Sequence, residues 1–81
     1  MNFTLQKRVS SAVQRVASPK AAKSILKFVE DDLVLPILGV TARSKVSATT
    51  DGKFVYLNVG RRDFEFYAKS GRLAGAGTFL G

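Results

Sequence analysis

The apolar residues of this chain change their period once, near residue 40, and no other feature constrains the fold as much. Before the change, Leu5, Val9, Ala12, Val13 and Val16 recur at helical spacings. At about 100° per residue they fall on one stripe. Ala22, Ile25, Leu26, Val29 and Leu33 repeat the pattern, with Phe28 on the flank. From Val40 the period is two: Val40, Ala42, Ser44, Val46 and Ala48 alternate with Thr41, Arg43, Lys45, Ser47 and Thr49. A pattern of one period does not keep a single apolar face in the other conformation. Helices therefore come first and strands after, which is the segregated order of an α+β fold.

Local signals set the boundaries. Ser18-Pro19 stops one helix and starts the next, with Ser as N-cap and Pro at the first helical position. This predicts helices over about 3–17 and 19–32. Glu30, Asp31 and Asp32 oppose the macrodipole at the end of the second helix, so it ends there or the acids find partners. Pro36 argues against continuation. Asp51-Gly52 between alternating runs signals a tight hairpin, because a type I′ turn needs positive φ at both positions. Strands are expected over about 40–50, 53–59 and 64–69, with a second turn at 60–63. The tail 70–81 carries Gly71, Gly75, Gly77 and Gly81 and is assigned no regular structure. The fold expected is thus two N-terminal helices packed on a three-stranded antiparallel β-meander, with a Gly-rich C-terminal tail.

With 81 residues the chain has room for one small domain, expected over 1–81, and its 46% hydrophobic content is globular. A core of this size leaves only a few kcal/mol of stability. The chain has no Cys and no His, so it has neither a disulfide nor a Cys/His zinc site, and no cofactor or metal is expected. Assembly with other chains is the remaining source of added stability. The same absences remove the usual general base and the best nucleophile. Glu30, Asp31 and Asp32 are adjacent and cannot converge on one point, and Asp63 and Glu65 neighbour arginines. No Rossmann fingerprint or P-loop is present. The expectation is a non-enzyme with no catalytic residues.

Charge points to a partner class. The net charge is +7, and the first 29 residues carry Lys7, Arg8, Arg15, Lys20, Lys23 and Lys27 with no acid. Such a balance favours nucleic acid, an acidic protein surface or anionic lipid. No run approaches the ~20 apolar residues of a membrane span. The longest, Leu33 to Val40, is broken by Pro36 and Gly39. No secretory signal is read, and the expected location is cytoplasmic or within a virion or other complex. Residues 1–24 also have the basic, Ser-rich, acid-free composition of a mitochondrial presequence, a competing reading of the first helix.

Two surfaces emerge as candidates. With a two-residue turn at Asp51-Gly52, Ala48 faces Val55, Val46 faces Leu57 and Ser44 faces Val59. With the second turn at 60–63, Val59 faces Phe64 and Leu57 faces Phe66. One sheet face then holds Val46, Ala48, Val55, Leu57, Val59, Phe64, Phe66 and Ala68, a surface for the helices. The other holds Phe54, Tyr56 and Tyr67 among Arg43, Lys45, Lys69, Asn58, Ser47 and Glu65. Aromatic rings interleaved with cations suit base stacking and phosphate neutralisation. Cross-strand packing of Tyr56 on Tyr67, or a protein interface, explains the same composition. No RRM aromatic signature and no GXXG loop is present.

The second candidate is the ridge Lys20, Lys23 and Lys27, which would grip phosphates without reading bases. Solvated helix faces commonly look the same. Leu73, Phe79 and Leu80 in the tail are expected to bury against the domain or a neighbouring subunit. The functional expectation is a small basic binding or assembly protein contacting nucleic acid or another polyanion. The contacts would come from Lys20, Lys23, Lys27, Arg43, Lys45, Tyr56, Tyr67 and Lys69. A structural subunit of a larger particle such as a virion is the alternative. It would use Phe54, Tyr56, Tyr67, Leu73, Phe79 and Leu80 as interfaces to a protein partner or to further copies. A small inhibitor of another protein is the third reading.

Overall fold

The computed structural model describes residues 3–31 and 44–78. The architecture is α+β: helices α1 (Phe3–Val16) and α2 (Pro19–Asp31) precede strands β1 (Val46–Thr50), β2 (Phe54–Val59), β3 (Arg62–Tyr67) and β4 (Leu73–Thr78). The strands form one antiparallel sheet in the order β1-β2-β3-β4, so each pairs with its neighbour in sequence.

The joint between the helices follows from two residues. The Ala21 N–H donates to Ser18 Oγ at 3.2 Å, and the Ala22 N–H donates to the Ser18 carbonyl at 2.7 Å. Ser18 thus caps the open amides of α2, and Pro19 opens the helix where no amide is needed. α1 buries Leu5, Val9 and Val13, and α2 buries Ala21, Ala22, Ile25 and Val29. Both stripes face one side of the sheet, where Val55, Leu57, Val59, Phe64 and Phe66 are buried and Val46, Ala48 and Ala68 are partly so. α1 lies along β1 and α2. α2 reaches β3 through Phe28, whose ring meets Phe64 and Phe66 edge-on at centroid distances of 5.6 and 5.5 Å. α2 also holds the β3–β4 turn, where Ser24 Oγ donates to the Gly71 carbonyl at 3.0 Å. At the opposite end Gln6 Nε2 donates to Glu30 Oε1 at 2.8 Å, tying the start of α1 to the last turn of α2.

Three expectations need correction. The sheet has four strands, not three, because the Gly-rich stretch from 73 forms β4 against β3. Backbone pairing needs no side chain, and an edge strand tolerates the small residues Ala74, Gly75, Ala76 and Gly77. Phe66 pairs with Leu73 while Glu65 pairs with Gly75, so Ala74 is the extra residue of a bulge. Phe79 and Leu80 lie outside the described residues.

The hairpin turn also sits one residue later than expected. Gly52 has φ +92°, but Asp51 is not in the positive-φ region, so no type I′ turn forms at Asp51-Gly52. Asp51 instead acts through its carboxylate, and the reversal centres on Gly52-Lys53. Ala48 therefore faces Leu57, and Val46 faces Val59.

The second turn is the pair Gly60-Arg61, with Gly60 at φ +63°, so Val59 faces Arg62 and Leu57 faces Phe64. Each register moved by two residues, which is one full side-chain period, so both faces keep their members. Tyr56 and Tyr67 do not face each other: Tyr56 is opposite Glu65 and Tyr67 is opposite Phe54. β1 starts at Val46, after Ser44 and Lys45, and the expected strand residues 40–43 lie outside the described residues.

Candidate functional site

The sheet face turned away from the helices divides into two halves of different chemistry. The half near the β1–β2 turn is aromatic. Phe54, Tyr56 and Tyr67 alternate outward from β2 and β3, and the Phe54 ring lies 6.2 Å from Tyr56 and 5.5 Å from Tyr67. Tyr67 is 49% exposed, while Phe54 and Tyr56 are half-buried. Lys53 and Lys69 join Gly52, Phe54 and Tyr67 around an open hollow of about 290 Å³. The two lysines are brought together because the Ala68 N–H donates to the Lys53 carbonyl at 2.9 Å, continuing the β2–β3 ladder one step past the strands.

The turn that carries Lys53 is fixed by one carboxylate. Asp51 Oδ1 accepts from the Lys53 and Phe54 amides, each at 2.9 Å, and Oδ2 accepts from the Tyr56 hydroxyl at 2.8 Å. These donors favour the ionised form, so the Asp51 carboxyl sits below its ordinary value; the Phe54 amide contributes most, then the Tyr56 hydroxyl, then the Lys53 amide. The same bond raises the Tyr56 phenol above its ordinary value, with desolvation and then the negative charges of Asp51 and Glu65 acting in the same direction. Thr50 Oγ1 completes the turn, donating to the Phe54 carbonyl at 2.8 Å and accepting from the Gly52 amide at 3.1 Å.

The other half carries two acids on β3, with Lys45 at the β1 edge. Asp63 and Glu65 point outward from β3, opposite Gly77 and Gly75 of β4. The Asp63 carboxylate lies across Gly77: a Cβ there would sit 2.8 Å from Asp63 Oδ1. With Ala76, these residues border a small polar hollow of about 210 Å³.

The residues picked from sequence are therefore not one site. Lys69, Tyr67 and Phe54 come together at the turn. Lys45 lies at the opposite end, beside Ser47, Asn58 and Gly60, where its carbonyl accepts from the Gly60 amide at 2.8 Å. The length of β2, about 20 Å, separates it from Lys69. Arg43, Phe79 and Leu80 lie outside the described residues. Leu73 is 43% exposed at the start of β4.

Lys20, Lys23 and Lys27 are exposed on α2, in the helical layer. There Lys23 borders an apolar groove of about 510 Å³ between Ala17, Pro19, Ala22 and Leu26. Lys53 was not among the sequence candidates, because the expected register paired it with Thr50, in line with the residues that face the helices. The signal was Gly52 itself: a glycine able to take positive φ alone moves the turn onto the lysine that follows.

Among the described residues no helix is long and apolar enough to cross a membrane. No protein-family model, no curated protein and no solved structure matches this chain.

Proposed function

We propose that this chain is a non-enzymatic binding protein that contacts nucleic acid through the sheet face left open by its helices. The observation carrying this reading is the cluster Phe54, Tyr56 and Tyr67 on that face, bordered by Lys53 and Lys69. Aromatic faces stack any base, and ammonium groups beside them neutralise the linking phosphates. The net charge of +7, with Lys20, Lys23 and Lys27 exposed on α2, adds sequence-independent attraction that speeds encounter. Titration of a labelled oligonucleotide across a salt series tests this. With three to five phosphates contacted, the log–log slope of affinity on salt is expected at about −2 to −4. No binding at low salt overturns the reading.

A second reading, a structural subunit of a larger particle, is favoured by the exposure of Leu73, at 43%, together with the same aromatic face. Its measurement is the mass in solution by light scattering: assembly without any oligonucleotide affinity would select it.

A further inference from the structure

We propose that the hollow between Tyr67, Phe54, Lys53 and Lys69 seats a single unpaired base, so that the ligand is single-stranded nucleic acid entering at the β1–β2 turn. The inference rests on the nucleic-acid reading above and assigns its substrate form and contact ring.

The three rings differ in availability. Tyr67 is 49% exposed and has Phe54 beside it in a tilted contact at 5.5 Å and 37°. Tyr56 is half-buried and its hydroxyl is held by Asp51 at 2.8 Å. Tyr56 is thus a positioning residue that keeps Phe54 and the turn in place, and Tyr67 is the ring a base would cover. The hollow, about 290 Å³, lies at the small end of ligand sites. It takes one planar ring and its sugar, and no duplex, whose bases are stacked on each other and present only their edges.

The charges set the path. Lys53 and Lys69 border the hollow and can each meet a phosphate flanking the seated base. Glu65 stands opposite Tyr56 and two residues before Tyr67 on the same face, with Asp63 beyond it, so carboxylates bound the aromatic cluster on the side away from the turn and repel a strand that tried to cross the sheet. The strand therefore runs past the turn, and its close footprint is short.

The test compares a short oligothymidylate with an abasic oligomer carrying the same number of phosphates, by anisotropy of a terminal label, using the full chain. The chain is expected to prefer the oligothymidylate. Tyr67→Ala should lower oligothymidylate affinity by about 5- to 100-fold and leave the abasic affinity unchanged. Tyr67→Phe should keep the preference within about twofold, since the hydroxyl plays no part in stacking. Tyr67→Leu serves the same purpose as the alanine variant should that one fail to fold. Asp51→Asn should reduce the preference by loosening the turn.

Equal affinity for the two oligomers, unaffected by Tyr67→Ala, overturns the stacking seat while leaving a polyanion-binding protein. Preference for duplex over single strand overturns it as well. Binding to neither oligomer, with Tyr67→Ala changing the mass in solution, overturns both readings and makes the face a protein contact.

Discussion

At the scale of single residues, two glycines with the same backbone sign have different neighbours. Gly52 has φ +92° and nothing within 4 Å of where a Cβ would sit. Gly71 has φ +75°, and its Cβ would lie 2.4 Å from the Ala21 carbonyl oxygen and 2.8 Å from the Ser24 Cβ. Gly52→Ala should cost about 1 kcal/mol, the backbone strain alone. Gly71→Ala should cost about 3 kcal/mol or more, because α2 must move as well. Urea midpoints of the two variants check the difference. Asp51 provides a pH signature. Its folded carboxyl is below its ordinary value, so its contribution is complete above the ordinary carboxylate range and is lost as pH falls from that range through the lower folded value. Tyr56 is raised, so its contribution is complete below its ordinary value and is lost as pH rises beyond it. Asp51→Asn should therefore differ most from the parent near neutral pH and converge with it in acid, as read by thermal melts across pH. Lys53 was hidden from sequence reasoning for a related reason. Gly52 alone suits either an Asp-Gly or a Gly-Lys turn, and the choice falls to Gly-Lys because the Asp51 carboxylate accepts from the Lys53 and Phe54 amides.

At the scale of elements, Phe28 is the largest side chain that α2 sets against β3. Its ring meets both Phe64 and Phe66 edge-on. Phe28→Ala should destabilise by about 2–3 kcal/mol, and Phe28→Leu by less, measured by urea unfolding. The helices were legible in the sequence because Ser18-Pro19 and the 3.6 period agree, and propensity and tertiary packing ask for the same residues there. The two sheet faces were legible as well. Both registers shifted by two, and a shift of two returns each side chain to its own face. β4 was not legible. Leu73 to Thr78 offers almost no side-chain signal, since what makes it a strand is the row of backbone groups on β3, including the stretch where Asp63 lies over Gly77. The candidate site was legible as a set of residue types and not as a place. Lys45 and Lys69 read as one cationic frame, yet the strand connecting their ends holds them about 20 Å apart.

At the scale of the whole molecule, the lysine ridge of α2 and the stacking ring sit on different layers, and this separates their effects. Replacing Lys20, Lys23 and Lys27 by Gln lowers the net charge by three, from +7 to +4. The triple variant should bind oligonucleotides more slowly and with a shallower salt dependence, by about 0.7 in slope for each phosphate no longer neutralised. Its preference for oligothymidylate over the abasic oligomer should be unchanged, because that preference belongs to Tyr67 on the far side of the sheet. Association rates by stopped flow across salt distinguish the two contributions. The strand order β1-β2-β3-β4 has a consequence for how the chain acquires its structure. Each pairing closes only a short loop between consecutive strands, so little chain entropy is lost before the ladder forms. Hairpins of this kind close in about 1–10 μs, and topologies built from local pairings reach the native state in microseconds to milliseconds. The docking of α1 along β1 differs in kind: it closes a much longer loop and brings together the two sides of the period change at which the chain divides.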